Sequence, residues 1–162
     1  YIVIDKYPET LLMYKHLIEK QKPELDILYI ADSSTNFPLK AHCIDLHLDF
    51  FATNEHNFYH NTFLYERMTP FLKEHADLIG TYFYFSHAQK SMRTLLSQYP
   101  ECSANNFSLP YFKNSLAESG FILKDCEPLD AVTDSGNNLG FGFHQKGEKM
   151  YLMPYYAQKT GQ

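Results

Sequence analysis

Near its start the chain reads Ile2-Val-Ile-Asp-Lys-Tyr-Pro-Glu-Thr-Leu11, and this stretch decides the fold. A β-branched apolar run ends at Asp5, and Pro8 then stands where a helix can begin, because proline suits the first helical turn. Apolar residues recur after it at helical spacing: Leu11, Tyr14, Leu17 and Ile18. The pattern predicts a short strand followed at once by a helix over residues 8–21, which Pro23 ends.

The same alternation continues along the chain. Further strands are predicted over residues 26–30, 43–51, 77–85, 121–127 and 149–157, and further helices over 57–68, 88–98 and 110–119, with a last helical turn at 71–75. We therefore expect one α/β domain over residues 1–162, with a doubly wound, mostly parallel sheet and helices on both faces. The last two strands should form an antiparallel hairpin. The loop between them is either functional or carries a short strand around Leu139–His144.

The predicted strand over residues 43–51 alternates strictly. One face holds Ile44, Leu46, Leu48 and Phe50, and the other holds Cys43, Asp45, His47 and Asp49. Further on, the aromatic run Tyr82–Phe85 is interpreted as core strand rather than as a base-stacking platform. Core or edge packing is also the favoured interpretation of Tyr151, Tyr155 and Tyr156, although these could line a substrate pocket.

Composition limits the function. Of the 162 residues, 44% are hydrophobic and 16% aromatic, which excludes intrinsic disorder. The net charge of −5 does not favour a nucleic-acid partner. Three cysteines without CxxC spacing fit a reducing compartment rather than a disulfide framework or a zinc ribbon. No apolar run approaches the length of a membrane span, so we expect no membrane partner and a cytoplasmic protein.

Five short motifs, taken in order, resemble the class I S-adenosylmethionine-dependent methyltransferases from that family's second strand onward. They are Ile2–Leu11; Leu28-Tyr-Ile-Ala-Asp32 followed by Phe37-Pro38; Ile44-Asp-Leu46; the segment Glu66–Lys73 before the fourth strand; and the Ser119-Gly-Phe121 lead-in to the antiparallel strands. In that family the sheet order is 3-2-1-4-5-7-6. The family's first strand and its Gly-rich loop have no counterpart, since no glycine precedes Gly80. We therefore expect an incomplete methyltransferase fold that lacks the N-terminal strand-helix unit.

The resemblance implies S-adenosylmethionine as cofactor and methyl transfer as activity. It implies that Asp5, with the adjacent Lys6, binds the cofactor's ribose, and that Asp32, with Ser33 beside it, contacts the adenine. Asp49, at the end of a central strand, would lie on the substrate side of the cofactor. No catalytic residue can be assigned, and the methyl acceptor is unidentified, with a small molecule or a protein favoured over RNA.

Two alternatives remain open. A non-catalytic binding or assembly module would keep the fold without turnover, and the absent glycine loop supports it. A metal-dependent hydrolase would use Asp45, His47 and Asp49 together with His56 and His60, which lie one helical turn apart; unpaired surface histidines are commoner, so no metal site is assigned. Cys43 is not favoured as a nucleophile. A homodimer or a swapped assembly could complete the sheet.

Overall fold

The computed structural model describes residues 1–32, 38–50, 52–60, 62–85, 90–101, 107–132 and 150–161. The chain divides into two compact units, Tyr1–Leu39 and Lys40–Gln162. Each unit has its own sheet, and each is described by itself.

The first unit is a strand-helix-strand element. It contains β1 (Ile2–Asp5), α1 (Pro8–Gln21) and β2 (Leu28–Ala31), and the two strands pair in parallel. The helix has the bounds that the sequence predicted, with Pro8 in its first turn and Leu11 buried. One oxygen of Asp5 accepts the Tyr7 N–H at 2.8 Å, so this side chain fixes the turn from strand into helix.

The second unit holds the remaining elements. They are β3 (Ile44–Phe50), α2 (Ala52–His60), α3 (Leu64–Met68), a 3₁₀ turn (Thr69–Phe71), β4 (Leu72–Tyr84), α4 (Lys90–Gln98), α5 (Leu109–Glu118), β5 (Phe121–Cys126), β6 (Leu129–Val132) and β7 (Met150–Lys159). Helix α5 has a local reason to begin where it does: the Ser108 hydroxyl accepts the Tyr111 N–H, and Pro110 fits its first turn.

The sheet of the second unit is mixed, so the prediction of a mostly parallel sheet is wrong. The strand order is β3-β4-β7-β5, with β6 also paired to β7. Strands β3 and β4 are parallel, whereas β7 runs antiparallel to β4, β5 and β6. The last strand lies inside the sheet and contacts three others, and every one of those ladders is antiparallel. The antiparallel pairing of β5 with β7 agrees with the prediction, as does the order within each sheet.

Several predicted boundaries need correction. Residues 72–75 are strand rather than a helical turn, because Leu72 pairs with Ile44 of β3. The helix predicted over 57–68 is two helices, α2 and α3. Strand β6 lies in the segment predicted as a loop. The short strand suggested around Leu139–His144 falls outside the described residues.

The core lies on one face of the second sheet, against α2, α3 and α5. Its largest fully buried side chains include Phe63, Tyr65, Tyr82, Phe112 and Leu116. The rings of Tyr82 and Phe112 stack at 4.4 Å between centroids. Tyr82, Phe83 and Phe85 are all buried, which confirms the interpretation of this aromatic run as core.

Towards its carboxyl end strand β3 turns its polar face inward, whereas Asp45 near its start is exposed. Asp49 is 0% exposed, while Leu48 is 53% and Phe50 67% exposed. This inversion is unexpected for a strand with such regular alternation, because apolar side chains normally occupy the covered face. Burial of an aspartate costs free energy, and it is tolerated only if the carboxylate oxygens accept hydrogen bonds from donors inside the protein.

None of the helices in the described part of the chain is long and apolar enough to cross a membrane.

We predict that Gly80→Ala destabilises the protein by at least about 2 kcal/mol, because a methyl group there would overpack a rigid neighbourhood. A Cβ at Gly80 would lie 2.6 Å from the Asp49 backbone oxygen and 2.6 Å from the Tyr155 hydroxyl. Gly120→Ala is the comparison, since it has room but a φ of +83°; the left-handed backbone alone should cost about 1–2 kcal/mol. Urea unfolding measures the free energy of unfolding of both variants. If Gly80→Ala lost no more unfolding free energy than Gly120→Ala, the prediction would be contradicted.

Candidate functional site

Two acidic residues meet at the carboxyl edge of the first sheet. Asp5 ends β1 and pairs in register with Ala31 of β2, and Asp32 follows directly. The Asp32 N–H donates to the Asp5 backbone oxygen at 3.2 Å, which fixes the two residues side by side. Both are half-buried. The carboxyl ends of parallel strands are where α/β folds bind ligands, so this edge is the candidate site of the first unit.

Lys6 and Ser33 are the other two residues predicted to bind the cofactor at this edge. Lys6 is exposed, and its ammonium lies 4.8 Å from the centre of the Tyr7 ring, within cation–π range. Ser33 lies outside the described residues. The ligand roles of Asp5, Lys6, Asp32 and Ser33 stay predictions.

Asp49 is the centre of a buried network in the second unit. One oxygen accepts the Tyr155 hydroxyl at 2.8 Å and the Tyr65 hydroxyl at 3.0 Å, together with the hydroxyl of Thr53. Its other oxygen accepts the Thr53 N–H at 3.2 Å. This last bond lies in the first turn of α2, where the helix dipole also favours a negative charge. Four donors therefore replace the water that the carboxylate lost on burial.

The two tyrosines of this network stay protonated. Burial raises the pKa of Tyr65 and of Tyr155 well above 10, and the charge of Asp49 raises both further. Their hydroxyls lie 3.2 Å apart, so the two donors converge on the same carboxylate oxygen. The Asp49 carboxylate is thus held by the chain's own donors, and its role on the substrate side of a cofactor stays a prediction.

His47 lies beside this network without joining it. Its ring meets the Tyr65 ring edge-on, with 5.7 Å between centroids. Its Nε2 atom is buried and has no hydrogen-bond partner among the described residues. Burial lowers the pKa of His47, and the nearby Asp49 charge offsets part of that shift. A neutral imidazole is therefore the form that the folded chain favours.

The described side chains of the metal-hydrolase alternative do not form a metal cluster, and the side chain of His60 lies outside the described part of the chain. Asp45 is exposed and forms an ion pair with Lys73 at 2.6 Å. Asp49 belongs to the buried network, and the His56 ring contacts the Thr62 hydroxyl at 3.0 Å. Within the described ranges no three His, Cys, Asp or Glu side chains converge in a way that could hold a metal ion. Cys43 is exposed at the strand start.

Sequence reasoning singled out Asp49 for a substrate-side role, which stays a prediction, and did not foresee its hydrogen-bond partners. Thr53 is four residues away, whereas Tyr65 and Tyr155 are 16 and 106 residues away. One local signal was available: a glycine inside a strand often marks a close approach of another group. Gly80 pairs with Asp49 on one side and Tyr155 on the other, which is the place where the network forms.

Comparison with solved structures identifies the fold. A S-adenosylmethionine-dependent methyltransferase from Methanosarcina mazei matches with a TM-score of 0.71 and 14% identity, over 99% of this chain and 82% of that one. The geranyl diphosphate C-methyltransferase of Streptomyces coelicolor A3(2), solved with Mg²⁺, geranyl diphosphate and S-adenosyl-L-homocysteine, matches with a TM-score of 0.70 and 11% identity, over 98% and 64%.

A third match shows that the fold extends beyond one chemistry. The [4+2]-cyclase SpnF matches with a TM-score of 0.64 and 10% identity, over 99% of this chain and 66% of that one. No protein-family model matches the sequence, and neither does any curated protein. The chain has the class I methyltransferase fold.

We predict that Tyr155→Phe destabilises the protein by about 1–3 kcal/mol, because it leaves a buried carboxylate short of a donor. The adjacent Tyr156→Phe is a matched control. Each of the two hydroxyls donates to an aspartate at 2.8 Å, but Tyr156 is only half-buried and bonds Asp77. Its loss should cost clearly less than the loss of the Tyr155 hydroxyl. Equal losses in urea unfolding would show that burial does not govern the strength of the network.

We predict a pH dependence from His47, whose pKa lies below its ordinary value of 6.5 in the folded chain. As the pH falls through 6.5 the unfolded state gains the proton before the folded state does. The free energy of unfolding therefore falls by up to about 1.4 kcal/mol per pH unit. His47→Gln should reduce the loss of unfolding free energy between pH 7.5 and pH 5.5, by at most about 1.4 kcal/mol, the limit for a single proton. A variant that loses as much as the parent would contradict this assignment.

Proposed function

We propose that this protein is an S-adenosylmethionine-dependent methyltransferase. Two observations support the proposal: the fold is the one that its methyltransferase neighbours share, and Asp5 and Asp32 lie together at the carboxyl edge of a parallel strand pair. The second observation carries more weight, because the fold alone hosts other reactions. The acceptor of the methyl group stays open.

The two acids suit the nucleoside end of the cofactor. A carboxylate accepts several hydrogen bonds at once, so Asp5 could accept both ribose hydroxyls while it also accepts the Tyr7 N–H. Asp32 would accept the adenine amino group, and Ser33 would lie beside it. The exposed ammonium of Lys6 adds a positive charge at the same edge.

Asp49 has a different part in the proposal. Its oxygens are occupied by Thr53, Tyr65 and Tyr155, so it would act as a positioning residue that holds the end of β3 against the start of α2. The cofactor, when bound, supplies an electrophilic methyl group. The chain would bind and orient the two reactants and exclude water, which can lower the barrier without a dedicated base.

Charge favours some acceptors over others. The net charge of −5 disfavours a polyanion such as RNA and leaves a small molecule or a protein as the acceptor. The geranyl diphosphate bound by one neighbour is a fact about that enzyme, and nothing in this chain's described residues singles out the same substrate.

Calorimetric titration with S-adenosyl-L-homocysteine tests the proposal. We expect binding that Asp5→Ala and Asp32→Ala each weaken by about tenfold or more, the effect of losing a hydrogen bond to a charged group. Glu24→Gln is the control, since this exposed acid lies in the same unit but before β2 rather than after it. Binding that all three variants leave unchanged would contradict the assigned site, and the absence of binding would contradict the function.

A binding or assembly module without turnover is the second candidate. The supporting observation is that one fold can host several unrelated functions. The cyclase among the neighbours further shows that the fold does not require methyl transfer. The same titration separates the candidates: a folded chain that binds neither S-adenosylmethionine nor S-adenosyl-L-homocysteine favours the module.

A further inference from the structure

The two units differ in how much core each of them has. Among the described residues of the first unit, Tyr1–Leu39, Leu11 is the one buried side chain. The second unit buries many side chains, with Phe63 and Phe112 among the largest. Because buried apolar surface is the main term that offsets the entropy of folding, the first unit has far less stability of its own.

The elements of the first unit are each too small to be stable alone. Strands β1 and β2 have four residues each and, within the described part of the chain, pair with each other and with no further strand. A lone pair of strands is at best marginally stable in water, and so is an isolated helix of 14 residues. Helix α1 contacts both strands, but Leu12, Met13 and Leu17 remain 45–66% exposed. Packing therefore adds little to the stability of the three elements.

The contacts that hold this unit together are the ones at its proposed ligand site. Tyr7 gives α1 no side-chain cap, and the exposed Lys15–Glu19 ion pair stabilises the helix only slightly. Asp5, by contrast, accepts the Tyr7 N–H with its side chain and the Asp32 N–H with its backbone oxygen. One residue thus joins the end of β1 to the start of α1 and to the end of β2.

We propose that the first unit opens and closes as a separate cooperative unit, and that a nucleoside cofactor bound at its carboxyl edge closes it. The second part rests on the proposed function. A ligand that contacts both Asp5 and Asp32 binds only the closed unit, because opening separates the ends of β1 and β2. Its binding free energy therefore adds to the stability of the unit. In return, the affinity for the cofactor is lowered by the fraction of chains in which the unit is open.

Hydrogen exchange of the 162-residue chain tests the separate opening. We expect amides of α1 to exchange at least about a hundredfold faster than amides of β7, since they require only the first unit to open. Tyr155→Phe should speed exchange in β7 and leave α1 unchanged, whereas Leu11→Ala should speed exchange in α1 and leave β7 unchanged. Equal rates in the two elements, or parallel responses to the two variants, would show a single cooperative unit and overturn the proposal.

The same exchange experiment with S-adenosyl-L-homocysteine tests the closure, with binding followed by calorimetry. At a ligand concentration about 100 times Kd, exchange in α1 should slow by about a hundredfold. Binding without this protection overturns the closure and leaves the proposed function standing. Absence of calorimetric binding contradicts the proposed function and overturns the closure with it, whereas the separate opening is still decided by the two variants.

Two neighbouring leucines on α1 test whether the opening sets the affinity. Leu11→Ala removes a buried side chain, and Leu12→Ala makes the same change at a side chain that is 66% exposed. Both lie in the helix and not at the carboxyl edge of the strands. We expect Leu11→Ala to weaken S-adenosyl-L-homocysteine binding at least about threefold, because more chains are open, and Leu12→Ala to leave it unchanged. Equal affinities of the two variants would overturn the link between opening and affinity.

Discussion

Burial of the Asp49 carboxylate constrains the rest of the second unit. An ionised side chain in the interior is tolerated only when its lost hydration is replaced, and here Thr53, Tyr65 and Tyr155 replace it. Those donors come from α2, α3 and β7, so one carboxylate ties the end of β3 to two helices and to the last strand. Gly80 belongs to the same constraint, because only a residue without a side chain lets the Tyr155 hydroxyl approach across β4.

The same constraint accounts for the inverted strand. Once Asp49 is held inside, the period of two in a strand sends Leu48 and Phe50 to the opposite side. Shifting the register by one residue would bury the leucines but would pull the aspartate away from all of its donors. The exposure of Leu48 and Phe50 is therefore a consequence of the burial of Asp49.

Sequence reasoning succeeded where structure is locally encoded. Pro8 and Pro23 delimit α1, and Asp5 lies where a strand turns into a helix, so the first unit could be predicted almost residue by residue. It failed where pairing across the chain overrides local preference. Residues 72–75 have the composition of a helix end but become strand because β3 provides a partner. The donors to Asp49, up to 106 residues away, have no local pattern that could reveal them.

The same contrast between local and long-range contacts applies to the proposed cofactor site and to the choice of methyl acceptor. The acids proposed to hold the nucleoside depend on contacts within a few residues or between two adjacent strands, which is why a short motif suffices to propose them. The choice of methyl acceptor depends on side chains that long-range packing brings together. The fold does not determine that choice, since methyltransferases and a cyclase with 10–14% identity to this chain share the same fold. Because the buried hydroxyls of Thr53, Tyr65 and Tyr155 are already engaged by Asp49, we expect acceptor specificity to come from the carboxyl edges of the strands rather than from the network.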